Sequence, residues 1–314
     1  MMQIFAALFL DALLGDPKFI PHPVAGIGAI IRFWEKRLYP GIDKKRQGRL
    51  FCVLVLTTAI AAVGGLLFCS SFFPWIHEIM ALYFLYSALA WRSLKDHSLP
   101  VALALLGGDI ETAREKLSHI VGRDTRELDE SGILRATIET IGENFIDGVF
   151  SVLFFMALGY VCGGAAGSVL AVWFFKTAST LDSMVGYDDE RYRDFGRASA
   201  RLDDALNFIP SRLGGLAALV AGACLGYPFF RGLTVFLRDR KKHKSPNSAH
   251  GESAFAGLLG VRLGGGAAYG GVFEERPAIG DPDARDPEPP DVLRAHAILD
   301  ASVALFALIL YFLK

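Results

Sequence analysis

The chain has 314 residues, 52% of them hydrophobic and 21% charged, with a mean hydropathy of +0.36. That is too apolar for an ordinary soluble domain of this length and points to an all-α, polytopic integral membrane protein. A formal net charge of −1 carries no global signature of a nucleic-acid partner; basic residues concentrate between the apolar runs and acidic ones in 274–291. Cys52, Cys69, Cys162 and Cys224 lie inside apolar runs without a C-x-x-C pair, so they read as packing residues rather than a disulfide or zinc framework.

Residues 1–14 are apolar but short, a partial span or an interfacial helix. Asp11 interrupts the run and no basic residues precede it, so it does not read as a cleaved signal peptide. Gly15-Asp16-Pro17 and Pro21-His22-Pro23 enforce turns, because proline fixes its own φ and restricts its predecessor. A turn role for His22 ranks ahead of a ligand role, with Asp11 and Asp16 nearby adding weight to the second. Seven Lys or Arg between 32 and 49 precede 24 uncharged residues, Leu50 to Phe73. That run is a transmembrane helix, and its basic flank places its start in the cytoplasm. Pro74 marks a turn, and 75–91 is expected to return as a second span. His77-Glu78 begins a zinc-protease pattern, but Ala81 stands where its second histidine is needed.

Residues 92–147 form the first polar region, with helices expected over Asp109–His119 and Asp129–Asp147. Glu139, Glu143 and Asp147 then fall at i, i+4 and i+8. A row of carboxylates repels itself. Arg135 offsets part of this, and two readings weigh equally: a hydrated acidic face, or a site for a divalent cation such as Mg²⁺ carried by a nucleotide. The 28 uncharged residues Gly148 to Phe175 are broken by glycines at 163, 164 and 167. A single crossing would put a basic segment outside, so a re-entrant hairpin turning at the glycines is expected. Gly226-Tyr227-Pro228 is expected to turn a second hairpin between Leu213 and Leu237.

The stretch from Lys176 to Leu213 is the most charged and specifically ordered part of the chain. Asp189, Arg193, Arg197 and Arg201 recur every four residues and Asp204 follows, while Tyr192, Phe195, Ser199, Leu202 and Leu206 mark a second face. The segment therefore reads as an amphipathic helix, either a solvated surface helix or a ligand site. Residues 238–272 join a basic cluster to a Ser-Pro-Asn turn and a glycine-rich run. That suggests an anion site, against a lipid-headgroup patch; His243, Ser245, Asn247 and Glu252 favour chemistry. No Walker or Rossmann glycine motif is present. Residues 274–291 read as an exposed linker, and 295–313 as a final span.

Five stretches, LDALLGDP, HPV, ETIGENFIDG, KTASTLDSMVGYDDERYRDFGRASARLDDALNFIPSRL and HKSPNSAHGESAFAGLLGVRLGG, together resemble the adenosylcobinamide-phosphate synthase family of cobalamin biosynthesis. The likeness covers nearly the whole chain. Val152 and Ala249 depart from the family's usual proline and glycine. The resemblance implies a single membrane-embedded helical domain over 1–314, in the cell membrane, with polar segments 92–147, 176–212 and 238–294 on the cytoplasmic side.

It also implies ATP-dependent joining of adenosylcobyric acid to (R)-1-amino-2-propanol O-2-phosphate, with ATP and Mg²⁺ required. Expected partners are the corrinoid, the amino-alcohol phosphate, the lipid bilayer and other cobalamin-assembly enzymes, with no nucleic acid. On that basis Glu139, Glu143 and Asp147, joined by Asp182, are candidate metal-associated carboxylates. Lys176, Arg193, Arg197 and Arg201 are candidates for nucleotide or aminopropanol phosphate. Asp203 or Asp204 would orient the arginines or deprotonate the amine, so that Lys176, Asp182, Asp203 and Asp204 form the catalytic set. His243, Ser245, Asn247 and Glu252 form a second substrate corner, with His22 and Asp16 as further candidates. Spans and hairpins also suit a transporter, although no internal symmetry supports one; a non-catalytic membrane scaffold is the third reading.

Overall fold

The computed structural model describes residues 1–17, 19 and 21–312. It is almost wholly helical: α1 Met2–Leu14, α2 Pro23–Leu38, α3 Lys44–Ser70, α4 Pro74–Tyr86, α5 Trp91–Leu106, α6 Ile110–Ser118, α7 Glu130–Asn144, a π-helical segment Phe145–Phe150, α8 Ser151–Val185, α9 Arg197–Cys224, α10 Phe229–Asp239, α11 Ala249–Leu259 and α12 Pro289–Phe312. One short antiparallel pair, β1 Ala267–Tyr269 and β2 Val272–Glu274, is the only sheet among the described residues. Four helical stretches there are long and apolar enough to cross a membrane: Lys44–Ser70, Glu130–Val185, Arg197–Cys224 and Pro289–Phe312.

The chain forms two compact units, each built from two separate stretches. The first comprises Met1–Ala90 and Val152–Asn207, the second Trp91–Ser151 and the chain from Phe208 onward.

In the first unit α1 packs on α4 and α2 on α3. Asp43 caps α3 by accepting from the Arg46 N–H at 3.0 Å. α4 is shorter than the span expected over 75–91: it has 13 residues, a rise of about 20 Å, and ends at Tyr86. α8 reverses direction at Gly163 and Gly164, and the left-handed φ of 62° at Gly164 is a conformation that suits glycine. Beyond the turn Gly167 lies against Gly159, and the Ser168 hydroxyl donates to the Met156 carbonyl. The expected hairpin is therefore present. Its returning arm buries Trp173, whose indole N–H donates to the Phe84 carbonyl at 3.0 Å.

The helix expected from Asp189 begins only at Arg197. Residues 190–196 are turns, because Gly196 is pressed against the Val185 carbonyl and Phe195 is buried between Tyr39 and Phe51. The four-residue charge row thus does not run along one helix.

The second unit is built around α11, every residue of which is buried. α7 and α10 pack directly on it. Asp129 caps α7 through the Gly132 N–H at 2.7 Å. The second hairpin is also present: α9 and α10 turn at Gly226, bringing Leu219 against Gly232 and Gly215 against Phe236. α12 and α5 share a polar seam. Asp300 accepts from Lys95 and Trp91, each at 2.7 Å. Ser98 Oγ donates to the Leu94 carbonyl at 2.6 Å, so His296 Nε2 must carry the proton it shares with Ser98 at 2.7 Å. Leu313, the last residue of the expected final span, lies outside the described residues.

Residues 274–291 are not an open linker. Leu263 and Ile279 exchange backbone hydrogen bonds, and the Arg262 N–H donates to the Arg285 carbonyl. Asp239, fully buried, accepts from the Gly280 N–H and is ion-paired with Arg238 and Lys242. Burial alone would raise its pKa; the two cations and the amide hold it at about 2 instead. All four cysteines are free thiols, but only Cys52 is buried. The packing reading fails for Cys69, Cys162 and Cys224, since an apolar run on a membrane helix can face lipid as readily as protein.

Candidate functional site

Within the second unit, α7 and α11 cross with their backbones in contact. A Cβ at Gly142 would sit 2.9 Å from the Glu252 N, and one at Gly251 would overlap the Gly142 carbonyl. This approach sets Glu252 among the acids of α7. Glu139 is buried, ion-paired with Arg123 and accepting the Gly264 N–H at 2.6 Å. Glu252 is buried too. Burial, and then the charges of Glu139 and Glu143, push its pKa well above the carboxylate range, against the pull of Arg123 and Arg276. Burial works against the Arg123 charge, but Glu139 more than restores it and its pKa is raised.

His243 joins this group on the turn after α10. Its Nδ1 accepts the Ser245 N–H at 3.1 Å, which leaves the ring proton on Nε2. Burial lowers its pKa, with Glu143 opposing, so the imidazole is neutral near pH 7. A cavity of about 70 Å³ is lined by Glu139, Glu252, His243 and Gly264 together with Lys242, Lys244, Glu275 and Arg276. It brings carboxyl groups and cations into one small space.

Ser245 and Asn247 build the turn that carries His243 and do not line this cavity. Ser245 Oγ accepts the Asn247 N–H at 3.2 Å, and Asn247 Oδ1 accepts from Ser211 at 3.2 Å and Arg212 at 3.3 Å. The expected row of three metal-binding carboxylates is not assembled as a cage. Glu139 is already held by Arg123 and Gly264, and Asp147, displaced by the wider turn of the π segment, does not line the cavity. Among the described residues no group of three His, Cys, Asp or Glu is arranged to hold a metal ion. A Mg²⁺ that arrives on a nucleotide needs only one or two carboxylates besides the phosphates.

The remaining candidates belong to the first unit. Arg197 and Arg201 line a cleft of about 360 Å³ with Lys45, Arg49 and Asp194. Arg193 turns to Asp188 at 2.9 Å and lines, with Arg197 and Tyr187, a neighbouring recess of about 250 Å³. Glu35 accepts from Arg191 at 2.8 Å and from the Tyr192 hydroxyl at 2.7 Å; burial and that bond push the phenol up to about 12. Lys176, Asp182, Asp203 and Asp204 are half-buried and line neither space. Asp203 accepts from Asn207 at 3.1 Å. His22 caps α2 by accepting the Val24 N–H at 3.2 Å and lies 3.5 Å from Asp16, at a cavity of only about 10 Å³. Arg123, Arg276, Lys45 and Arg49 were not singled out from the sequence. Arg123 lies in a loop without periodicity, Arg276 in the supposed linker, and Lys45 and Arg49 in a basic run that reads as a topology signal.

A helical membrane protein with a small charged cavity in one unit and a basic cleft in the other defines the class. The chain belongs to the CobD/Cbib family of cobalamin biosynthesis: the family described as CobD/Cbib protein matches residues 4–299. It is 46% identical to the cobalamin biosynthesis protein CobD of Pelobacter propionicus, over 88% of this chain and 84% of that one. It is 38% identical to the protein of that name from Desulfotalea psychrophila, over 98% and 96% of the two chains. For its counterpart in Halalkalibacterium halodurans the identity is 39%, over 99% and 96%. No solved structure matches the chain.

Proposed function

We propose that the protein is an ATP-dependent amide ligase that joins the free carboxylate of adenosylcobyric acid to the amine of (R)-1-amino-2-propanol O-2-phosphate, giving adenosylcobinamide phosphate. Beyond family membership, one observation supports this reading: the pairing of acids and cations around the cavity of Glu139, Glu252 and His243. The amine substrate is itself a zwitterion, an ammonium joined to a phosphate by a short carbon chain. The carboxyl groups suit the ammonium. Lys244, Arg276 and the Nε2–H of His243 suit the phosphate.

A carboxylate is a poor electrophile. ATP converts it to an acyl phosphate with release of ADP. The ammonium loses its proton, for which Glu143 is the acceptor we assign: it lies outside the cavity lining, but its charge is felt at Glu252 and His243. The amine then attacks the acyl carbon. The tetrahedral oxyanion collapses by expelling inorganic phosphate, which takes up the second proton lost from nitrogen as the amide forms. Arg197 and Arg201, in the first unit, are the groups we assign to the nucleotide's phosphates, where Mg²⁺ carried on the nucleotide would supply further positive charge. Asp203, Asp204, Asp182 and Lys176 are proposed to position these groups. We assign the reaction to the cytoplasmic side of the cell membrane, a reading that the basic start of α3 supports.

The test is product formation by purified protein given ATP, Mg²⁺ and both substrates, read by mass. Oxygen-18 from the labelled cobyrate carboxylate should appear in the released phosphate. Solute flux into vesicles without product would instead indicate a transporter, and binding without turnover a scaffold.

A further inference from the structure

The loop before α9 docks on the first turns of α3. A Cβ at Gly48 would overlap the Phe195 carbonyl, so the two backbones touch there, and the Phe195 ring packs at 4.8 Å from that of Phe51 and edge-on at 5.3 Å from that of Tyr39. This contact sets Lys45 and Arg49 of α3 beside Arg197 and Arg201 of α9, around one cleft of about 360 Å³. That volume lies at the lower end of small-molecule sites.

Neighbouring cations are already neutralised: Arg191 by Glu35 and Arg193 by Asp188. Arg49, Arg197 and Arg201 have no carboxylate partner among the described residues. The cleft's one acid, Asp194, lies 3.5 Å from Lys45. Four cations against one carboxylate leave three positive charges facing the same space. Their mutual repulsion is relieved by a polyanion.

We propose that this cleft binds the polyphosphate chain of a nucleoside triphosphate, with Lys45 and Arg49 completing a site shared with Arg197 and Arg201. The ligase reading bears only on which nucleotide enters; the charge argument stands without it. An anionic phospholipid headgroup offers the same phosphate chemistry at the start of a membrane-spanning helix. It brings a single phosphodiester charge, whereas three uncompensated cations match a triphosphate.

The test is calorimetric titration of the full-length protein in phosphatidylcholine nanodiscs with MgATP and with inorganic triphosphate. Both should bind and compete. Lys45→Gln and Arg49→Gln should each weaken binding about tenfold. Lys45→Arg and Arg49→Lys should bind within a few-fold of wild type, and unchanged thermal midpoints would exclude misfolding. The proposal is overturned if wild type binds neither probe, or if the glutamine variants bind both normally. It is likewise overturned if those variants lose only retention on phosphatidylglycerol vesicles, which would make the cleft a lipid site. Because the readout is binding, absence of amide formation would sink the ligase reading alone. Ligase activity with an unchanged KM for ATP in the double glutamine variant would sink this one alone.

Discussion

Gly142 of α7 and Gly251 of α11 meet backbone to backbone, and that contact places Glu252 among the acids of α7. Either glycine replaced by alanine forces the helices apart. Overpacking of this kind costs about 1–3 kcal/mol. Gly142→Ala should therefore lower the thermal midpoint and reduce ligase activity in membranes. Gly26→Ala, at a position with open space around it, should do neither.

Burial and the neighbouring acids favour the protonated form of Glu252, and this makes stability depend on pH in a definite direction. Its folded pKa is raised above the unfolded value. The folded state thus binds the proton more tightly, and stability falls as pH rises from the ordinary carboxylate value through the raised one. Glu252→Gln keeps the shape of the neutral acid and should flatten that decline in unfolding curves recorded across the range.

His250 acts in the opposite sense. Its Nδ1 donates to the Asn247 carbonyl at 3.1 Å, its Nε2 is buried with no partner among the described residues, and Phe236 packs on the ring. Burial, with Arg212 nearby, lowers its pKa to about 4. The unfolded chain takes up the proton first, so stability is lost as pH falls from about 6.5 toward 4, by on the order of 3 kcal/mol. His250→Gln should abolish that acid-side loss, measured as the unfolding midpoint at pH 7 and pH 4.5.

Arg123→Met strips Glu139 of its countercharge while leaving the carboxylate buried. Breaking a buried pair from one side costs about 3–5 kcal/mol. The double variant Arg123→Met with Glu139→Gln should be more stable than Arg123→Met alone. A thermal-unfolding cycle with strictly additive effects would show that the pair is not coupled.

Much of this architecture was readable from residue order. A gap of 24 uncharged residues after a basic run marks α3, and paired glycines with positive charge at both flanks mark the α8 hairpin. Prolines and glycines mark turns because their backbone limits are local. Contacts that depend on distant segments left no such trace. The amphipathic pattern from Asp189 is sound as a pattern, yet burial of Phe195 and the squeeze on Gly196 delay the helix to Arg197. Arg123 finds Glu139, and Arg276 finds the same cavity, through folding of segments that look like plain loops. The acidic composition of 274–291 suggested solvent, but Arg285 is ion-paired with Asp291 and Arg238 with Asp281.

The second unit is discontinuous along the chain, and this bears on how the protein is made. Residues 91–151 leave the ribosome before the whole 152–207 insert, and α11 emerges only after that. The acids of α7 must therefore wait, uncovered, while another unit is synthesised. Arg123, only sixteen residues upstream of Glu139, is available to that carboxylate from the outset. It would act first as an escort during biogenesis, and Gly264 would supply the second bond when translation reaches it.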